Sequence, residues 1–549
     1  MKAFLMHQDE DFDLQRPLPA NEADLLQDLE LPTLLEAMAG GDRFLFDVAK
    51  QAVLSSLTDP EAIIYRQQVL ADCLKQPAIV RELHQVAVEA LQAERRSYFG
   101  MGISRYSSPD SILARSVSVL EVLLGSLKRL RAIADQHTDE FRSDGFTRLF
   151  AMFQKELGDE YFETVETHLK ELKFRRGVLL SAQLGKGNKG IRHVLRRPRP
   201  QRWIERVTPI PINRSGYSFQ IPDRDDNGFR ALEALRGRGI NLVANALAQS
   251  ADHVLSFFVM LRTELAFYVG CLNLHERLAA NGEPTCVPVP VPVASEAEDE
   301  PVLSAQDLYD PCLTLHLKGE QRAVGNALHA DGKRLVLITG ANQGGKSTML
   351  RAIGVAQLML QCGMFVAATS FRANPCAGLF THYKREEDTT MESGKLDEEL
   401  SRMAAIADQI TPGAILLCNE SFAATNEREG SEIARQVVGS LVEAGVKVFF
   451  VTHLFDLAQG FHQAGMDDAL FLRAERQPDG RRTYRVVEGE PLPTSFGEDA
   501  YRRIFGSAAS APTGGLGRPI MTVAAPARRE EHEETDEQGD RRGTPGPYP

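Results

Sequence analysis

Little in this sequence supports a fold held together by covalent cross-links. The 549 residues contain only seven cysteines, and these are scattered along the chain without a Cys-x-x-Cys pair. An odd and dispersed set argues against a disulfide framework and against a zinc cluster. No apolar run reaches the roughly 18 residues of a membrane-spanning helix, and residues 1–21 lack the apolar stretch of a secretory signal. We therefore expect a cytoplasmic protein with no membrane association.

Positive charge is also scarce over the chain as a whole. The 62 Lys and Arg residues are outnumbered by 75 Asp and Glu residues, giving a formal net charge of −13 at pH 7. This balance excludes a protein whose whole surface binds polyanions, so any contact with nucleic acid would need a local basic patch. The hydrophobic fraction of 43% and the charged fraction of 25% are those of an ordinary globular chain.

The first half of the sequence predicts helices. After a short N-terminal tail at 1–20, residues 21–282 are predicted to form a mainly helical core or lever domain. Within 111–133, apolar residues recur at three- and four-residue steps, as on one face of a helix. A second helical block covers 229–278, whereas the glycines and prolines of 177–221 indicate a basic loop or hairpin insertion.

The second half has a different pattern. Alternating Val and Pro followed by acidic residues predict an interdomain linker at 283–304, and a stiff spacer is favoured over a segment that docks a partner. From 305 to 508, short apolar runs alternate with helices, and the runs 334–339, 414–418 and 447–452 are typical of buried parallel strands. Residues 509–549 predict a disordered tail. The expected fold is therefore multidomain: a helical domain, then an α/β domain with a largely parallel sheet.

A glycine-rich motif, G-x-x-x-x-G-K-S, is the strongest chemical signal. Its glycines allow successive backbone N–H groups to point at a phosphate, and the helix that follows adds a positive N-terminal end. We expect Lys346 to bind between the β- and γ-phosphates of ATP and the Ser347 hydroxyl to bind Mg²⁺. The expected nucleotide-binding residues are Gly340, Ala341, Asn342, Gln343, Gly344, Gly345, Lys346, Ser347 and Thr348.

Two later strands are predicted to supply the catalytic groups. The apolar run 414–418 ends in Asn419 and Glu420, and Glu420 is placed to polarise an attacking water. Asn419 can accept a hydrogen bond from a metal-bound water but brings no charge, so weaker Mg²⁺ binding and slow ATP hydrolysis are expected. His453 follows the run 448–452, at the strand end where doubly wound sheets bind ligands. The alternative is a purely structural role for Glu420 and His453.

Taken together, these residues resemble the MutS family of DNA mismatch-repair ATPases. The resemblance rests on Asn342, Gly344-Gly345, Lys346-Ser347-Thr348, Thr425, Gly430, Thr452-His453, Leu457, Ser495-Phe496-Gly497, Asp59-Pro60 and Arg66-Gln67-Gln68. It implies an ABC-like P-loop NTPase domain and a homodimer whose ATP sites are completed across the interface, with Ser393 as the candidate for the trans-acting serine. Because the helical core starts by about residue 25, it also implies a short member without the N-terminal mismatch-reading domain.

Basic residues concentrate in one stretch of this acidic chain. Residues 173–206 contain eleven lysines and arginines and a single acid, the asymmetry that a local DNA-contacting surface requires. The residues expected to contact DNA are Lys186, Lys189, Arg192, Arg196, Arg197 and Arg199. A solvated surface loop is the alternative, and contacts of this kind position the DNA backbone without reading its sequence.

Two functions fit these patterns. The first is a MutS-like ATPase in which ATP binding and hydrolysis at a dimer interface gate helical arms on duplex or branched DNA, in mismatch repair or related repair or recombination. The alternative is a nucleotide-switched dimeric interaction protein that does not bind DNA directly, which the acidic net charge favours.

Overall fold

A computed structural model describes residues 1–99, 108–175, 177–197, 219–292, 300–317, 321–385, 394–477 and 481–492. The predictions for Ser393, Arg199, the turn at 495–497 and the tail at 509–549 lie outside these described residues. Spatial contacts group Met1–Gly497 into one unit, and everything below concerns that unit.

The N-terminal half is helical, as the periodicity predicted. Its helices are α1 (Glu22–Asp28), α2 (Leu31–Ala39), α3 (Arg43–Leu54), α4 (Pro60–Lys75), α5 (Pro77–Phe99), α6 (Pro109–His137), α7 (Asp144–Glu156), α8 (Asp159–Leu172) and α9 (Asp226–Ala280). Helix α6 confirms the prediction over 111–133. It begins where the Ser108 side chain accepts a hydrogen bond from the Ser111 amide and Pro109 occupies the first turn, a favourable start because proline has no N–H to leave unpaired.

Helix α9 is the longest element in the part of the chain that the structure describes. It has 55 residues, and its C-terminal half is buried among the other helices through side chains such as Phe257, Phe258 and Leu261. Among the described residues it is the one helix long and apolar enough to cross a membrane by length and composition, and 72% of its apolar window is buried inside the protein. Core helices of globular proteins have the same property.

The first residues of the chain, within the segment predicted to be an N-terminal tail, pack against α9. Leu5, Met6 and Phe12 are buried. The Leu5 amide donates a 2.6 Å hydrogen bond to the Glu264 carboxylate, and the Tyr268 hydroxyl donates one of 2.6 Å to the Leu5 carbonyl. We call residues 3–12 the N-terminal strap.

The second half contains a six-stranded sheet, in the order β12-β11-β6-β10-β9-β8. Its strands are β6 (Leu335–Gly340), β8 (Leu379–Tyr383), β9 (Ile415–Asn419), β10 (Lys447–Val451), β11 (Ala469–Arg476) and β12 (Arg482–Glu488). All neighbouring pairs are parallel except the antiparallel pair of β11 and β12. The three buried parallel strands predicted from the sequence are therefore confirmed as β6, β9 and β10.

Alternate residues of these strands enter two different apolar clusters, because successive side chains of a strand point to opposite faces. One face carries Val336, Ile338, Phe449 and Val451 and joins the core of the helical half through α11 (Lys346–Gln361). The opposite face is covered by α12 (Lys395–Ala407), α13 (Glu427–Glu443) and α14 (Phe455–Ala464). This layering explains why the strand sequences are apolar throughout.

A smaller sheet, in the order β3-β7-β4-β5, lies in the same half. Its strands are β3 (Val289–Pro290), β4 (Leu303–Leu308), β5 (Asn326–His329) and β7 (Ser370–Ala373), and the short helix α10 (Pro311–His316) follows β4. Part of the predicted linker thus belongs to a sheet, since β3 pairs in parallel with β7 and the Val291 amide bonds to Ala373 O at 2.9 Å. Proline is tolerated there because β3 is an edge strand. Residues 293–299 lie outside the described ranges.

The basic segment contains an antiparallel hairpin, β1 (Leu179–Leu184) and β2 (Gly190–Arg196). Its base packs on α9, where Leu180 contacts Gly239 so closely that a Cβ there would lie 2.1 Å from the leucine Cδ2. Residues 198–218, which include Arg199, are not described.

Candidate functional site

The predicted site residues come from three neighbouring strands. Lys346 and Ser347 begin α11 directly after the loop that follows β6. Asn419 ends β9 and Glu420 comes directly after it, and His453 follows β10. Because β6, β10 and β9 are adjacent and parallel, their carboxyl ends open at one edge of the sheet, where doubly wound folds bind ligands. The structure brings these residues together as the sequence predicted.

The loop between β6 and α11 has a conformation that depends on its glycines. Gly345 has φ +90°, and a Cβ at this position would lie 3.2 Å from the Tyr484 carbonyl oxygen. Asn342 and Gln343 are exposed, whereas the Ala341 and Lys346 side chains are buried. The loop leads directly into the N-terminus of α11, with Gly345 as the N-cap, and helix N-termini bind anions through backbone N–H groups.

The Lys346 side chain turns back into the loop. Its Nζ donates hydrogen bonds to the carbonyl oxygens of Gly340 (3.0 Å) and Ala341 (3.1 Å). Burial lowers the pKa of Lys346 to about 8, and the nearby Glu420 carboxylate opposes that effect. The amine is thus still mostly protonated at pH 7. A bound anion would raise its pKa from this lowered value.

Ser347 and Asn419 form the second contact of the site. The Ser347 hydroxyl donates a 2.9 Å hydrogen bond to the Asn419 Oδ1. Together with the adjacent Glu420 carboxylate, these are oxygen donors of the kind that Mg²⁺ prefers. Within the described ranges no group of three or more His, Cys, Asp or Glu residues could hold a metal ion, so a cation here would depend on these three oxygens, on water and on its ligand.

Glu420 and His453 form the third contact. Their Oε1 and Nε2 atoms lie 3.0 Å apart, and this hydrogen bond lowers the pKa of Glu420. The Lys346 Nζ is 3.4 Å from the same His453 Nε2. Since that nitrogen donates its proton to the carboxylate, it cannot also accept one from the ammonium. Glu420 is therefore ionised and oriented by His453.

Several residues that shape this site carry no sequence motif. Ala474 in β11 packs against Gly344, and Tyr484 in β12 lies behind Gly345. His382 in β8 contacts Ser421, the residue after Glu420, at 2.7 Å. These contacts join residues far apart in the sequence, so no local pattern could have revealed them.

The hairpin of β1 and β2 carries a separate set of predicted residues. Between residues 179 and 197 there are five lysines and arginines and no acid. Arg192, Arg196 and Arg197 bond to Gln183, Ser181 and Glu171 respectively, whereas Lys186 and Lys189 are exposed at the turn. The tip of the hairpin is therefore positive, with the side chain of Leu184 78% exposed beside it.

A largely parallel sheet covered by helices, with a glycine-rich loop and a carboxylate–histidine pair at its carboxyl edge, is the architecture of the doubly wound α/β proteins, which bind ligands at that edge. Comparison with known families is more specific. Residues 58–281 match the MutS2 N-terminal domain and residues 336–504 match MutS domain V. These two regions correspond to the helical half and to most of the α/β half.

Individual relatives match over about a third of the chain. The chain is 31% identical over 171 residues to the DNA mismatch repair protein MutS of Thermotoga sp. (strain RQ2), covering 31% of this chain and 22% of the relative. It is 32% identical over 179 residues to Endonuclease MutS2 of Anaeromyxobacter sp. (strain Fw109-5), covering 31% and 21%. Each match spans about a fifth of the relative's length. With both domain matches, the chain belongs to the MutS family.

Proposed function

We propose that this protein binds and hydrolyses ATP at the carboxyl edge of the six-stranded sheet. The observation that supports the proposal is the convergence of Lys346, Ser347, Asn419, Glu420 and His453 from three adjacent parallel strands. A charged lysine, a hydroxyl and a carboxylate paired with histidine are the groups that phosphoryl transfer to water requires.

Each of these residues has a separate role in the proposed binding and hydrolysis of ATP. The backbone N–H groups of 340–347 and the Lys346 ammonium would bind the β- and γ-phosphates in place of the carbonyl oxygens that Lys346 contacts now. Ser347, Asn419 and Glu420 would hold Mg²⁺, which neutralises phosphate charge when bound. Glu420 would orient the attacking water and accept its proton, with His453 fixing the direction of the carboxylate.

The Lys346→Ala variant tests this assignment. We expect ATP turnover to fall at least a hundredfold, since the variant loses the cation that contacts the transferred phosphate. Lys155→Ala is the matched control, because Lys155 is an exposed residue of α7 far along the chain. Turnover by Lys346→Ala at the parental rate would show that this loop is not the nucleotide site.

We further propose that two copies of the chain complete each other's ATP sites, as the family membership suggests, with Ser393 as the partner's contribution. Small-angle scattering with and without a nonhydrolysable ATP analogue measures this directly. A doubled particle mass with the analogue, lost in Lys346→Ala, is the expected result. A monomer under both conditions would contradict it.

The proposed macromolecular ligand is DNA, in mismatch repair or a related repair or recombination process. Support comes from the positive hairpin on an otherwise acidic chain and from the names of the relatives, which are mismatch repair proteins and an endonuclease. Titration against homoduplex, mismatched, branched and single-stranded DNA at two salt concentrations tests it. Lack of binding to all four would exclude DNA as the ligand.

One observation favours the alternative of a nucleotide-switched interaction protein. The N-terminal half of α9 exposes Phe229 (66%) and Leu242 (80%), and large exposed apolar side chains are typical of protein contacts. If nucleotide-dependent dimers form but no DNA binds, this alternative is the better description.

A further inference from the structure

The loop that carries Glu420 has an unusual backbone. Glu420 has φ +55° and Phe422 has φ +62°, a left-handed conformation that residues other than glycine rarely adopt. Such a conformation persists only where the surroundings enforce it. Phe422 and Ser421, the residue between the two, are fully buried, so the enforcing groups are the side chains packed around this loop.

His382, from the edge strand β8, makes the first of these contacts. Its Nδ1 lies 2.7 Å from the Ser421 Oγ, its Nε2 lies 3.0 Å from the Glu399 carbonyl oxygen, and its ring stacks on Phe422 with centroids 5.5 Å apart. Burial lowers the pKa of His382 to about 4, so the ring is neutral at pH 7 and has a single N–H. A carbonyl oxygen only accepts, so Nε2 carries the proton. The Ser421 hydroxyl lies 2.7 Å from Nδ1 and 2.7 Å from the His382 carbonyl oxygen, so its one proton is shared between these two acceptors.

Glu399, from α12, makes the second contact. Its side chain is buried. Burial raises the pKa of its carboxyl, the backbone N–H groups of Ala424 and Phe422 oppose that effect, and its Oε2 has no hydrogen-bond partner among the described residues. A carboxyl group has two oxygens and can accept from two amides. Because Phe422 lies two residues after Glu420, this carboxylate fixes the loop directly behind the proposed catalytic group.

Gly430 in α13 closes the loop from a third side. A Cβ at this position would lie 2.4 Å from the Phe422 carbonyl oxygen, so the helix approaches the loop backbone at a distance that only glycine allows. The loop is therefore enclosed by β8, α12 and α13, while the Glu420 amide bonds to Val451 O at 2.9 Å in the neighbouring strand.

We infer that Glu399 and His382 are positioning residues that hold the left-handed loop and thereby aim the Glu420 carboxylate at His453 and at the attacking water. The inference rests on the proposed ATPase function and adds to it two residues that touch neither nucleotide nor water. Both are outside the phosphate loop, so they are expected to affect turnover without affecting nucleotide affinity.

Glu399→Gln tests the inference with almost no change in volume. The amide lacks the negative charge, and its NH₂ group opposes the N–H groups of Phe422 and Ala424. We expect kcat for ATP to fall about tenfold, since displacing a catalytic group by about 1 Å costs one to two orders of magnitude, while KM stays within twofold. Glu398→Gln is the matched control, because it is the same change on the preceding residue of α12. Its kcat and KM should both match those of the parent.

Ser421→Ala is the second variant, which decides the question if circular dichroism shows that Glu399→Gln has not folded. It removes the hydroxyl that contacts both Nδ1 and the carbonyl oxygen of His382, and the same loss in kcat with unchanged KM is expected. When both variants fold, the double variant should lose little more than either single one, because the two residues act on one loop.

The results separate the two proposals. If Glu399→Gln and Ser421→Ala fold and keep kcat within twofold of the parent, while Lys346→Ala abolishes turnover, the positioning role is wrong and the ATPase assignment stands. A rise in KM equal to the fall in kcat/KM would also overturn it, because that result indicates lost nucleotide binding. If the parent shows no Lys346-dependent turnover, the proposed function itself is wrong.

Discussion

Arg66 in the helical half donates a 3.0 Å hydrogen bond to the carbonyl oxygen of Cys362, the residue that follows the helix begun by Lys346. The same guanidinium donates to the Met6 carbonyl at 3.1 Å and lies 3.2 Å from His7 Nε2. Helix α11 therefore starts at the proposed nucleotide site and ends on a buried arginine shared by α4 and the N-terminal strap.

Replacing this arginine is expected to destabilise the whole unit. Arg66→Met keeps the length of the side chain but leaves the buried carbonyl oxygens of Met6 and Cys362 without their donor. We expect the free energy of unfolding to fall by about 3–6 kcal/mol, since two hydrogen bonds to a charged group are lost at about 1.5–3 kcal/mol each. Urea unfolding measures it, with Arg43→Met as control, since the Arg43 side chain is 80% exposed in its ion pair and should change stability by less than about 1 kcal/mol. Equal effects of the two substitutions would contradict this account.

Glu264 gives a stability that depends on pH. Burial raises its pKa from 4.5 to about 7 and outweighs the hydrogen bonds from the amides of Leu5, Met6 and Phe12. The folded state holds this proton more tightly than the unfolded chain does. Protonation of Glu264 therefore adds to the free energy of unfolding, fully below pH 4.5, and this stabilisation is lost as pH rises through 7. Between pH 5 and 8 the loss is about 2–3 kcal/mol at 1.36 kcal/mol per pKa unit.

Glu264→Gln isolates that contribution. Urea unfolding of both proteins at pH 5 and pH 8 should show that the parent loses about 2–3 kcal/mol more than the variant over this interval. The histidines with lowered pKa values, such as His7 at about 4, remain in both proteins, and their opposite slope should largely cancel in the comparison. Parallel pH profiles would show that Glu264 does not titrate in this range.

Asn419→Asp should strengthen Mg²⁺ binding. The change places a carboxylate beside the Ser347 hydroxyl in place of the amide oxygen 2.9 Å away, and affinity for hard cations increases with the number of charged ligands. We expect the Mg²⁺ concentration for half-maximal ATP turnover to fall about tenfold, equivalent to about 1.4 kcal/mol. Asn241→Asp, on the exposed surface of α9, should leave it unchanged. An unaltered Mg²⁺ dependence in Asn419→Asp would place the cation elsewhere.

The hairpin tip should govern the salt dependence of DNA binding. The double variant Lys186→Ala/Lys189→Ala removes two exposed cations, so the slope of log K against log salt should become less steep by about 1.8 units, at 0.9 per phosphate contact. Fluorescence anisotropy on one duplex from 50 to 300 mM salt gives the slope. Lys170→Ala/Lys155→Ala, on α8 and α7, is the control with equal charge. An identical slope in both double variants would show that the hairpin does not contact DNA.

The parts of the fold that the sequence predicted are those set by local pattern. Helix α6 follows from the three- and four-residue spacing of its leucines and from Ser108, and β6, β9 and β10 follow from apolar runs too short for helices. The glycine motif and the order of the strands then placed Lys346, Glu420 and His453 at one edge of the sheet. The short apolar runs were sufficient to predict these strands because both faces of the sheet are covered.

The parts of the fold that differed from the sequence predictions depend on contacts between residues that are far apart in the sequence. The N-terminal strap has too few apolar residues to indicate an element, and it is ordered by Glu264 and Tyr268, more than 250 positions away. Pro290 indicates a spacer, yet it ends an edge strand because β7 lies beside it. The bonds of His382 and Glu399 to the Glu420 loop are equally nonlocal, so the sequence gives no sign of them.

Helix α9 has 55 residues, which at 1.5 Å per residue is about 80 Å of continuous helix. Glu264, where the N-terminal strap is attached, lies 38 residues from its first residue, Asp226, or about 57 Å along the axis at the same rise. A rotation of only about 5° around that point would swing the first residue of the helix through about 5 Å over this length. An adjustment smaller than an atomic diameter at the buried pivot would thus be amplified into a displacement larger than the spacing between neighbouring base pairs.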